Sequence, residues 1–223
     1  MGKTALVTIV LVHGAGSTGA AAAELLGLGP DVVLVEDRTG DVERVISQLE
    51  AAWARIPDCT ALVGVSLGAH ALARWAASTT CPLPQIACVL PAWTGSPTSA
   101  AEATARAASD VAREGTATIL ERLQRESPHS DVVRLLQLAW PAYSDDELAH
   151  SLTCASRGRG PHPEELAAIS SPVAVVGWRG DAFHPESVAH EWARHLRRPT
   201  LALAARPDVH LLQRALSTAP GWS

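Results

Sequence analysis

Two short stretches hold residue types that could do chemistry together. Gly64-Val65-Ser66-Leu67-Gly68 sets one hydroxyl between two glycines. Such a serine becomes a nucleophile when a sharp strand-to-helix turn lifts its hydroxyl clear of the backbone. The flanking glycines are needed because bulkier side chains would collide with neighbouring backbone. Alone the pattern is a weak signal, since a glycine-containing bend can match it by chance. The second stretch is His13-Gly14-Ala15-Gly16. Glycines there let backbone N–H groups turn toward a developing negative charge. The Ala15 N–H would be one donor and the Leu67 N–H, just after the serine, the other. A glycine turn bordering a phosphate is the competing reading, but the chain has no G-x-x-x-x-G-K-[ST]. His13 is open to an acid–base role; the better reading is that it ties down its own loop.

Whether these stretches form a site depends on what positions them. Five apolar runs have the length and β-branched content of strands: 7–12, 31–36, 60–65, 86–91 and 172–178. A sixth, 199–205, is weaker because alanine and leucine dominate it. The runs are nearly continuous in apolar residues, as strands covered on both faces require. Helical stretches fall between them at 17–28, 41–56, 67–79, 184–197 and 208–217. In 41–56, Val42, Val45, Ile46, Leu49, Trp53 and Ile56 make one core-facing stripe behind the N-cap Asp41. Alternating strand and helix implies parallel strands joined by right-handed crossovers.

Residues 95–170 break the alternation. They are rich in alanine, arginine and glutamate, and they read as helices at about 99–126, 130–139, 144–155 and 163–169. A stretch this long is no loop. The expected organisation is an α/β core from 1–94 and 171–223, with 95–170 inserted as a helical cap.

Composition excludes several partners. A net charge of −5 and a pI near 6.0 give no electrostatic footprint for nucleic acid or an anionic membrane. Cys59, Cys81, Cys88 and Cys154 form no C-x-x-C pair, so neither a zinc site nor thioredoxin-like chemistry is expected. No apolar segment approaches the roughly 20 residues that span a bilayer. The N-terminal run enters the glycine motif without a small-residue cleavage site and reads as a buried strand, so a cytoplasmic protein is expected.

His13-Gly14-Ala15-Gly16 after the first strand, EDRTG (36–40) after the second and GVSLGA (64–69) at the third together resemble the α/β-hydrolase family, serine hydrolase branch. The resemblance spans the chain, cap included. The chain departs from it by starting at the HGAG strand, without the two N-terminal strands common in the family. It implies a shortened, about six-stranded, mostly parallel sheet flanked by helices.

The family's chain order is Ser, then Asp or Glu, then His. It implies Asp181 as the acid after the strand that follows the cap, and His210 as the base after the last strand. Both fall at strand C-terminal ends, where such sheets bind ligands. Asp208 competes for the acid. His184 is read as a rim residue at a helix start, His190 and His195 as helix-surface positions, and His70 as structural. Trp93, Trp140, Tyr143 and Leu138 line an acyl pocket or form the cap's own core. Arg157 and Arg159 meet a substrate carboxylate or are simply solvated.

The implied function is a serine hydrolase that cleaves a small-molecule carboxylic ester, lactone or thioester through an acyl-enzyme, with no cofactor or metal. Serine at this turn argues against an epoxide hydrolase or dehalogenase, which would place a carboxylate there. A hydroxynitrile-lyase-like reaction is disfavoured because those relatives use a cap lysine, and Lys3 is the only lysine here. A non-catalytic ligand-binding protein is the remaining alternative, since fold and motif leave function open.

Overall fold

Runs of apolar, largely β-branched residues have no polar face to give to water, and here they become strands buried between two helical layers. A computed structural model describes residues 8–29, 32–56, 59–205 and 208–218; Lys3 lies outside the described residues. The strands are β1 (Ile9–Val12), β2 (Val32–Val35), β3 (Ala61–Val65), β4 (Gln85–Val89), β5 (Val173–Trp178) and β6 (Pro199–Ala204). They form one 6-stranded sheet in the order β2-β1-β3-β4-β5-β6, every pair parallel. The weak run at 199–205 is thus a genuine edge strand. Leu62, Val63, Ile86 and Val175 are fully buried, each contributing about 1.5–3 kcal/mol relative to exposure.

The strand order reverses between β1 and β3. The chain steps outward from β1 to β2 and then returns across β1 to start β3. Neighbouring loops part at such a point, leaving a crevice at the C-terminal strand ends. HGAG follows β1 and Ser66 follows β3, so both stretches meet there.

The helices divide between the two faces. One face carries α2 (Val42–Trp53), α3 (Leu67–Ser78) and α9 (Glu186–His195), whose Leu49, Leu72 and Trp192 join one core cluster. The other carries α1 (Gly19–Leu26) and α10 (Val209–Ser217), whose Leu25 and Leu212 join a second. In α2, Asp41 accepts the Glu43 N–H at 2.9 Å, and Val42, Val45 and Leu49 face inward.

Residues 95–170 hold α4 (Ser99–Glu114), α5 (Thr116–Glu126), α6 (Asp131–Ala139), a 3₁₀ turn (Trp140–Ala142), α7 (Asp145–Arg157) and α8 (Pro163–Ala168). The single helix expected at 99–126 is two, broken at Gly115, whose φ of 78° is open mainly to glycine. Val111, Ile119, Leu148 and Leu152 of these helices build a separate apolar cluster. By contrast α8 packs on α3 and α9, and its Leu166 belongs to the main core. Among the described residues no helix is long and apolar enough to cross a membrane.

Candidate active site

Ser66 occupies a strained turn between β3 and α3, with φ 54° and ψ −116°. A non-glycine residue there costs about 1–3 kcal/mol and persists only where the surroundings enforce it. The enforcement is visible on both sides. A Cβ on Gly64 would lie 2.4 Å from Gly68 O, and one on Gly68 would lie 2.2 Å from Val12 O. Only glycine lets β3 turn into α3 so tightly against β1. The Ser66 N–H donates to Val89 O at 2.9 Å, which pins the turn to β4.

The loop after β5 supplies the partner groups. Asp181 Oδ1 accepts the N–H groups of Phe183 at 2.8 Å and His184 at 3.2 Å. Its Oδ2 lies 2.9 Å from His184 Nδ1, and His184 Nε2 lies 3.0 Å from Ser66 Oγ. With the Nδ1 proton donated to Asp181, Nε2 is left to accept from the serine hydroxyl. Burial pushes the Asp181 carboxyl up, but the His184 hydrogen bond and charge, with the two backbone N–H groups, outweigh it and hold the group below its usual value. The two side chains are 11% and 19% exposed, so the relay is shielded yet reachable.

The arrangement places a different histidine beside Ser66 from the one expected. His184, not His210, stands on Ser66. His184 precedes α9 instead of starting it, because the residue before a proline avoids helical angles and Pro185 comes next. His210 lies in the first turn of α10, exposed, beside a groove lined by Glu24, Gly27, Arg134 and Gln213. Its neighbours Val209 and Leu212 take the inward positions, so the helix period turns 210 outward. Asp208 precedes the same helix and its carbonyl accepts the Leu212 N–H at 3.0 Å. A signal for His184 was present in the string D-x-x-H-P. An aspartate that caps its own turn brings the residue three positions on within reach, and the proline keeps that residue out of the helix.

The HGAG loop borders the serine: a Cβ on Gly14 would lie 3.0 Å from Ser66 Cβ. Among the described residues, neither the Ala15 N–H nor the Leu67 N–H donates to a backbone carbonyl outside the regular elements. His13 is buried, with Nδ1 2.8 Å from Gly14 O and Nε2 3.1 Å from both the Asp37 N–H and Glu36 Oε2. Its nitrogens are committed to the loop. Residues 14–19 also spell G-x-G-x-x-G between a strand and a helix, the setting of a dinucleotide turn. Here the start of α1 is filled, because Gly19 N–H donates to Glu36 Oε1 at 2.9 Å and Ala21 N–H to Thr18 Oγ1 at 3.2 Å. A carboxylate stands where a phosphate would bind.

The aromatic residues considered for the pocket are packed. Trp140 and Tyr143 belong to the cluster of Val111 and Leu148, and Tyr143 Oη donates to Ser17 O at 2.6 Å, tying that cluster to the loop after β1. Trp93 is buried with Ala92, Ala100 and Ala101. Leu138 is exposed on the cap surface. Arg159 binds Glu165 through both terminal nitrogens, at 2.6 and 2.8 Å, whereas Arg157 is exposed. His190 is exposed and His195 half-buried on α9. Among the described residues, no group of three or more His, Cys, Asp or Glu side chains is placed to hold a metal ion.

No family model matches the chain, and no curated protein matches it in sequence. Among solved structures it is similar to the enol-lactonase from Burkholderia xenovorans LB400, at 16% identity over 94% of this chain and 86% of that one, with a TM-score of 0.70. MenH from S. aureus is similar at 14% identity over 93% and 89%, with a TM-score of 0.71. An alpha/beta hydrolase from Sphaerobacter thermophilus DSM 20745 is similar at 22% identity over 94% and 91%, with a TM-score of 0.61. At these identities the likeness is one of fold: the chain has the α/β-hydrolase fold, with a 6-stranded parallel sheet flanked by helices.

Proposed function

We propose that this protein is a serine hydrolase that cleaves a carboxylic ester, lactone or thioester of a small molecule through an acyl-enzyme. The observation that carries the reading is the continuous relay from Ser66 Oγ through His184 to Asp181, at 3.0 and 2.9 Å. His184 Nε2 takes the Ser66 proton as Oγ attacks the acyl carbon. The same nitrogen then returns that proton to the departing alcohol, thiol or ring oxygen. A water enters, gives its proton to His184, and releases the acid as Ser66 recovers its hydrogen. Asp181 fixes the imidazole tautomer and stabilises the imidazolium formed in each half. The Ala15 and Leu67 N–H groups stabilise the oxyanion, a contribution of about 10²–10³ in rate per donor.

The test is a fluorophosphonate probe followed by a p-nitrophenyl ester series. The expected result is one covalent adduct on Ser66 and turnover of at least one ester. Failure of folded wild-type protein to label contradicts the reading. Labelling of Ser66→Ala equal to wild type would show that another residue is the nucleophile.

A further inference from the structure

His70 is the residue that neither the relay nor ordinary core packing accounts for. It lies one helical turn beyond Ser66 on α3, and its N–H donates to Ser66 O at 3.2 Å. Its side chain is fully buried. Nε2 accepts the Ala92 N–H at 3.1 Å and faces the Trp93 N–H at 3.4 Å. The neutral ring therefore carries its proton on Nδ1, and that nitrogen is buried without a hydrogen-bond partner among the described residues. A leucine would leave no such orphan, so what the histidine adds is the acceptor. Burial, with the charges of His184 and Arg74, pushes its pKa down to about 3, so the acceptor persists at any ordinary pH.

What that acceptor holds is the base of the cap. Leu90, with a φ of 54°, turns the chain sharply at the end of β4, while its N–H still pairs with Val176 O at 2.7 Å. The turn delivers the Ala92 and Trp93 N–H groups to His70. The Trp93 ring packs edge-on to His70 at 4.8 Å, and its Nε1–H donates to Gly158 O at 3.1 Å, in the bend that closes α7. The two crossing segments then pair directly, Gly95 N–H to Pro161 O at 2.9 Å and Gly160 N–H to Gly95 O at 2.8 Å. Entry and exit of the cap thus form one hydrogen-bonded neck, joined to the nucleophile helix at His70.

We propose that His70 is a positioning residue that clamps the neck of the cap to the helix bearing Ser66, and so sets how the cap closes over the acyl side of the site. The inference rests on the hydrolase reading for its consequence and not for its geometry, and the test separates the two. His70→Leu, His70→Gln and Trp93→Phe are compared by amide hydrogen exchange and by kcat and KM on p-nitrophenyl esters from acetate to octanoate.

In His70→Leu the Ala92 and Trp93 amides are expected to exchange at least tenfold faster. kcat/KM should fall about tenfold more for octanoate than for acetate, with the difference in KM. His70→Gln, whose side-chain oxygen can accept the same N–H groups, should return both within about threefold of wild type. Trp93→Phe keeps the His70 clamp and frees only the exit segment, so it should show the same selectivity change at smaller size. It also decides the matter with His70→Gln if His70→Leu does not fold. Unchanged exchange in His70→Leu, glutamine no better than leucine, or an equal loss on every ester overturns the proposal. If wild-type protein turns over no ester, the hydrolase reading fails alone, and exchange still decides the clamp.

Discussion

Two neighbouring loops of this molecule carry nearly the same chemistry and place it on opposite faces. The loop after β5 holds Asp181 and His184, and the loop after β6 leads to Asp208 and His210. In the first, the aspartate folds the loop onto itself, and the imidazole is fixed between Asp181 and Ser66 before α9 begins. In the second, the histidine is already inside a helix. That helix packs beside α1, where Gln213 Nε2 donates to Glu24 O at 3.1 Å, and His210 faces outward. Residue type and chain order do not separate the loops, although only the first has the D-x-x-H-P spacing. What separates them is whether the histidine precedes the helix or rides on it.

The largest effect should come from Ser66, the nucleophile of the proposed reaction. Ser66→Ala is expected to lower kcat/KM by about 10⁴-fold or more while the fold is kept, measured on whichever ester wild type cleaves best. Next, Asp181→Asn should cost about 10³-fold, because an amide no longer enforces the Nδ1–H tautomer. Asp208→Asn should cost less than about threefold. Equal losses would erase the distinction between the loops. Pro185→Ala sharpens it: with the proline gone α9 can extend back over His184, and kcat should fall about tenfold with little change in KM.

The smallest effect is on stability in acid. The Asp181 carboxyl is held below its usual value in the folded protein, with burial opposing and His184 and the backbone N–H groups prevailing. Its contribution is therefore present above the unfolded aspartate value of about 3.9 and is lost as pH falls through the lowered folded value. As pH falls below about 4, wild type should lose stability more steeply than Asp181→Asn in urea unfolding. A steeper loss in the variant contradicts that sign.

Most of the fold can be read from the sequence, because strands buried on both faces show as unbroken apolar runs and α2 shows a clean helical stripe. The Ser66 turn is legible for the same kind of reason, since Gly64 and Gly68 are demanded by backbone at 2.4 and 2.2 Å. The break at Gly115 is harder, because helix-forming sequence runs on both sides, alanine-rich before it and rich in Leu, Glu and Arg after it, and only the left-handed angle stops it. His184 is harder still. Its role depends on a turn in which Asp181 accepts two backbone N–H groups, and on Pro185 delaying the helix. Trp140 and Tyr143 could not be placed from sequence, because an aromatic residue looks the same whether it lines a pocket or fills the cap's core.

The most direct test of the contrast is to remove the two histidines one at a time. Fluorophosphonate labelling rate and kcat/KM would be measured for His184→Ala and His210→Ala, with circular dichroism confirming that each is folded. The relay at 3.0 and 2.9 Å predicts that His184→Ala loses about 10³-fold or more in both, while His210→Ala stays within about threefold of wild type. The reverse pattern, with His210→Ala inactive and His184→Ala active, would contradict the assignment of the base to the loop after β5.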